Sequence, residues 1–175
     1  MVFGMSLATY TLIHVIISLV GIGSGLIVLF GMFGGKRLDG MTALFLATTV
    51  LTSLTGFGFP FEHLTPGIIL GILSVVVLAI AVPARYSFGM AGKWRATYVV
   101  TAVIALYFNC FVLLAQSFQK LPTLHALAPK GNEPPFAIAQ GILLVLFIAA
   151  GTLAVKKFRP ADATTLTRAA ANVKS

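Results

Sequence analysis

The three histidines, the amides Asn109, Gln116 and Gln140, and the acids Glu62 and Glu133 are the residues whose chemistry and placement could make a site. His14 falls near one end of the first apolar stretch, Glu62-His63 lies in a short break, and His125 lies in a longer one beside Glu133. Imidazole is the commonest metal ligand and the side chain that titrates nearest neutral pH. A group drawn from His14, His63 and His125 with a carboxylate has the donors to hold a metal ion, ligate haem or sense pH. Against it, no H-x-x-E-H or H-E-x-x-H spacing occurs, and histidines in breaks are commonly solvated. The amides form a second set. Asn109 and Gln116 are seven residues apart, so a helix puts them on one face, and Gln140 belongs to a later apolar stretch.

These residues must be held by elements that cross a membrane. The chain has 175 residues, 58% hydrophobic and 9% charged, whereas a soluble domain carries about 25% charged residues. Charges are absent from 1 to 35, 40 to 61, 63 to 84, 96 to 119 and 134 to 155. Each gap is long enough for a span of about 20 residues. The expectation is an all-α membrane protein, a bundle of five transmembrane helices near 6–33, 41–59, 66–84, 95–119 and 135–156, followed by a flexible tail over 161–175. Thr65-Pro66 reads as an N-cap and first helical turn. Pro83 reads as a stop or bend, and the proline-rich stretch from Leu121 to Pro135 as a loop. The first stretch lacks a basic start and an A-x-A-like cleavage site, so it reads as an uncleaved helix.

With five spans, Lys36, Arg37, Arg85, Lys93, Arg95, Lys156, Lys157 and Arg159 share one side, against Lys120 and Lys130 on the other. The positive-inside rule then sets the N-terminus outside and the C-terminus in the cytoplasm. All three histidines and Glu133 thereby fall in the outer half. Within the spans, amides need partners, because an unsatisfied polar group in hydrocarbon costs several kcal/mol. Two readings fit them. One is interhelical hydrogen bonding. The other is a polar outer-half pocket of His14, Asn109, Gln116 and Gln140, with Glu62 and His63 at its rim, for a quinone head group, a haem edge, a lipid or a small solute.

Helices in lipid associate by close backbone approach. Gly21/Gly25 and Gly67/Gly71 have the small-xxx-small spacing for it, as do Gly31/Gly35. No Asp, Glu, Lys or Arg falls deep inside a span, which argues against ion-coupled transport. No Ser/His/Asp, Asp/Asp or Cys/His arrangement stands out, so no catalytic residue is assigned. The single cysteine excludes an intrachain disulfide. The net charge of +8 comes from clusters between apolar runs and indicates no nucleic-acid partner.

Gly35-Lys36-Arg37-Leu38-Asp39-Gly40, Gly56-Phe57-Gly58-Phe59-Pro60-Phe61, Tyr107-Phe108-Asn109 through Gln116, Leu124-His125-Ala126-Leu127-Ala128-Pro129 and Glu133-Pro134-Pro135-Phe136 together resemble a family of small bacterial inner-membrane proteins. The resemblance implies a multi-pass protein of the bacterial inner membrane and lends no catalytic residues. The expected function is non-enzymatic: a protein in contact with membrane lipid that binds a small or lipophilic ligand, or serves as an accessory subunit of a larger membrane complex. A homo-oligomeric channel or transporter, and a redox protein using haem, a metal or a quinone, are the alternatives.

Overall fold

The computed structural model describes residues 4–60 and 65–159, which form six helices and no strand. Glu62, His63 and the tail over 161–175 lie outside the described residues. The first helix, α1 (Leu7–Phe33), begins where Ser6 turns extended and its hydroxyl accepts the N–H of Thr9. It ends at Gly34, and the next turn is held by packing. Leu38 takes a left-handed backbone (φ 42°) and its side chain lies on Gly31, where a Cβ would sit 2.4 Å from Leu38 Cδ1. Only glycine at position 31 leaves that space.

The second helix, α2 (Asp39–Gly56), then runs antiparallel to α1 along its length. Leu38 meets Gly31 at one end, Phe45 packs on Gly25 midway, and Tyr10 donates its hydroxyl to the Thr55 carbonyl at the other (2.7 Å). Thr48, Thr49, Ser53 and Thr55 bond carbonyls one turn back, which satisfies them within the helix. This hydroxyl-rich composition sets α2 apart from its neighbours.

Thr65 caps α3 (Pro66–Tyr86) by accepting the Ile68 N–H. Ser53 and Ser74 then join α2 to α3 through their hydroxyls at 3.0 Å. Pro83 does not stop this helix, which continues to Tyr86. Pro83 lies within a turn of the end, and its carbonyl accepts the N–H groups of both Ser87 and Phe88 as the chain turns away.

The fourth helix, α4 (Lys93–Lys120), is the centre of the bundle. Tyr98, Val99, Ala102, Ala105 and Leu106 are buried on it, and it packs on α1, α2, α3 and the last helix. The stretch expected to be a loop holds a short helix, α5 (Pro122–Leu127). The physical reason is Pro122 at its first turn, where the fixed φ favours a helix and no donor is lost. The last helix, α6 (Pro134–Lys157), buries only Gln140 and Ala154.

Four of the six helices, α1, α3, α4 and α6, are long and apolar enough to cross a membrane. Their outward faces carry Leu12, Ile16, Phe30, Ile138, Val145 and Leu146, all largely exposed. A continuous apolar exterior of this kind belongs in lipid rather than in water. The chain is a helical membrane protein.

Candidate functional site

The four polar residues of the expected outer-half pocket do not form one group. His14, on α1, bonds through Nδ1 to Thr55 Oγ1 at 2.8 Å and meets the Phe59 ring edge-on at 5.1 Å. Tyr10, one turn earlier, contacts the same Phe59 ring at 5.0 Å. Together they fasten the start of α1 to the end of α2. Asn109, on α4, is directed elsewhere: its amide donates to Thr49 Oγ1 at 3.4 Å, close to where Gly21 lets α1 approach. Gln140 donates to the Phe111 carbonyl at 3.2 Å, and its own oxygen is buried without a partner. Gln116 is exposed on the bundle surface. Asn109 and Gln116 share a helix, yet only Asn109 meets a neighbouring helix, and His14, Asn109 and Gln140 each bond a different partner.

The other candidates are likewise apart. His125 is exposed on α5, away from His14. Among the described residues no three of His, Cys, Asp and Glu come together as a metal-holding group. Glu133, at the start of α6, folds its carboxylate over the preceding turn and accepts the N–H groups of Lys130 (2.9 Å) and Asn132 (3.1 Å). The Lys130 N–H first of all holds that carboxyl below the usual carboxylate range. Gly25 is pressed against Leu106 and Phe45, where a Cβ would come within 2.6 Å and 2.8 Å. Gly71 faces the Phe57 ring, while a Cβ on Gly67 would meet only Thr65 of its own cap.

Two features were not singled out by residue type. The first is a groove between α4 and α6 with a volume of about 230 Å³, lined by Val100, Val103, Ile104, Tyr107, Leu144, Phe147, Ile148, Gly151 and Thr152. It is apolar and open to the lipid side. Tyr107 stands at one end of it, with Phe111 and Phe147 around its ring. Gly151 lies against Val103 at the close point of the two helices. The signal was available as apolar residues one turn apart on both helices, but such stripes mark any lipid-facing helix.

The second is Arg85. The cation count treats it as one of eight interfacial charges, yet it is only 2% exposed. Its Nη2 pairs with Asp39 Oδ1 and also donates to the Arg37 carbonyl, Nη1 donates to Met90 sulfur, and the guanidinium lies 5.3 Å from the Tyr98 ring centroid. Its Nε is buried without a hydrogen-bond partner. A buried arginine must be neutralised or pay a large desolvation cost, and Asp39 supplies the counter-charge at the start of α2. Arg95 on the next helix is spent in a similar way. Its Nη1 donates to the Val155 and Phe158 carbonyls at 2.9 Å and 2.6 Å, closing the end of α6.

No family model matches the chain, and no curated protein or solved structure does either.

Proposed function

We propose that this chain is a multi-pass protein of the bacterial inner membrane that crosses it five times, N-terminus outside and C-terminus in the cytoplasm, and that it acts without catalysis by binding a lipophilic ligand in the α4–α6 groove. The observation that carries the ligand reading is the groove itself: an apolar cleft, open sideways to lipid, with a tyrosine at one end. It takes the place of the outer-half pocket because His14, Asn109 and Gln140 are each engaged with a separate neighbour.

The fifth crossing proposed is α2, beside the four longer helices, and its contacts at both ends support it. Arg85, at the end of α3, reaches Asp39 at the start of α2, while Tyr10, at the start of α1, reaches Thr55 at the end of α2. These contacts at its two ends support a crossing by α2, whose 18 residues rise about 27 Å at ~1.5 Å each. The orientation is supported by the eight basic residues gathered at the end where α1, α3 and α6 finish.

The test is extraction in a mild detergent followed by mass spectrometry of what remains bound. A lipid-soluble molecule should copurify, and Ile148→Trp, which fills the groove, should release it. Retention of nothing lipophilic, or retention unaffected by that substitution, would sink the groove as a binding site. A second reading rests on α6, whose outer face exposes Ile138, Ile142, Val145 and Leu146. That face suits contact with a second copy or a larger membrane complex, and a strictly monomeric state in native membranes would remove this reading.

A further inference from the structure

The two helices that wall the groove each carry a lysine beyond the same end of it, and this narrows its occupant. On α4, Lys93 stands on the same face as Thr97, Val100, Ile104 and Tyr107, one to four turns earlier. On α6, Lys156 is one turn beyond Thr152, which lines the groove. The two lysines belong to the same end of the bundle, because Arg95 in the first turn of α4 donates to Val155 and Phe158 at the end of α6. Both are exposed, and neither has a carboxylate within ion-pair distance among the described residues, where Asp39 is paired with Arg37 and Arg85 instead. From Lys93 to Tyr107 the apolar wall runs roughly 21 Å at ~1.5 Å per residue. On each of the two helices the apolar cleft is thus followed, toward the same end of the bundle, by an exposed lysine.

We infer that this line is a binding site for one anionic phospholipid of the cytoplasmic leaflet, with the phosphate between Lys93 and Lys156 and an acyl chain lying in the α4–α6 groove toward Tyr107. The inference rests on the groove's being a lipophilic site, as proposed above, and adds the headgroup charge. A zwitterionic lipid fills the same cleft but leaves the two ammonium groups less fully matched. Lysine suits the phosphate as a compact, mobile point charge. Arg85 is buried and paired with Asp39, and Arg95 turns Nη1 onto the Val155 and Phe158 carbonyls, so the two exposed lysines are the cations assigned to the phosphate.

Native mass spectrometry of the full chain in mild detergent, titrated with phosphatidylglycerol, with phosphatidylcholine of the same chains and with glycerol phosphate, tests it. Each lysine near an anionic headgroup contributes about fivefold in affinity. Phosphatidylglycerol should therefore bind at least about tenfold tighter than phosphatidylcholine. The Lys93→Gln/Lys156→Gln double variant should lose that preference, and Lys93→Arg/Lys156→Arg should keep it. Equal affinity of the unsubstituted chain for the two lipids overturns the inference, as does an undiminished preference in the glutamine variant. Glycerol phosphate binding as tightly as phosphatidylglycerol overturns it too, by showing an anion site that needs no acyl chain. These results leave the lipophilic groove standing if Ile148→Trp still expels both lipids. The groove reading itself fails if neither lipid responds to Ile148→Trp.

Discussion

The two ends of the bundle are held together by different chemistry. At the cation-rich end, a buried guanidinium ties three helices: Arg85 of α3 reaches Asp39 of α2 and lies beside Tyr98 of α4, while Arg95 closes the end of α6. At the opposite end, neutral groups make the ties: the Tyr10 hydroxyl, the His14 ring, Thr55 and the Phe59 ring. A charge buried with a single counter-charge depends heavily on that group, whereas neutral bonds contribute small independent increments. The same contrast separates structural cations from free ones. Arg85 and Arg95 work inside the protein, and the exposed lysines at that end remain available to lipid headgroups.

The largest effect is therefore expected at Asp39. Asp39→Ala leaves the Arg85 charge buried, and stability should fall by about 2–3 kcal/mol, at the lower end for a broken buried pair because the Asp39 side chain is 70% exposed. Arg85→Met, which removes the buried charge and keeps the volume, should change stability by less than about 1 kcal/mol. Unfolding in mixed micelles measures both, and equal losses would erase the distinction between the ends.

Midway between the ends, Gly25→Ala should cost about 1–3 kcal/mol, since the added methyl meets Leu106 and Phe45 and forces them aside. Gly23→Ala, with nothing within 4 Å of its Cβ position, serves as the neutral control in the same unfolding assay. At the neutral end, His14→Ala removes one interhelical bond and should cost only about 0.6–2 kcal/mol. A loss exceeding that at Asp39 would reverse the comparison.

The smallest effect is expected in the turn before α6. The Glu133 carboxyl is held below its ordinary value of 4.5 by the N–H groups it accepts, so its contribution is present above pH 4.5 and fades as the pH falls through the lower folded value. The protection of the Lys130 amide, measured against its intrinsic exchange rate at each pH, should fall over that acid interval in the natural chain. In Glu133→Gln the exchange should show no such step.

Much of this architecture is readable from where charges are missing. The gaps between charges locate the helices to within a few residues, and Thr65-Pro66 marks the start of α3 by local chemistry alone. Helix α5 escapes that reading because proline is equally at home in a loop and in a first turn. The site is less legible for a reason of distance. Arg85 and Asp39 are 46 residues apart in the chain, and nothing local distinguishes an arginine that pairs inward from one that faces headgroups. Asn109 and Gln116 share a helix face, but the crossing angle between helices decides that one meets Thr49 and the other is exposed. Pairwise spacing cannot supply that rotation.

Whether α2 crosses the membrane sets which helix ends share a side. Single cysteines introduced at Lys36, Ser87 and Lys130 in a Cys110→Ala background, labelled with a membrane-impermeant maleimide in intact cells, test it directly. Position 130 should react, and positions 36 and 87 should both stay protected until the membrane is opened. Labelling of 87 with protection of 36 would contradict five crossings, and labelling of both with protection of 130 would invert the orientation.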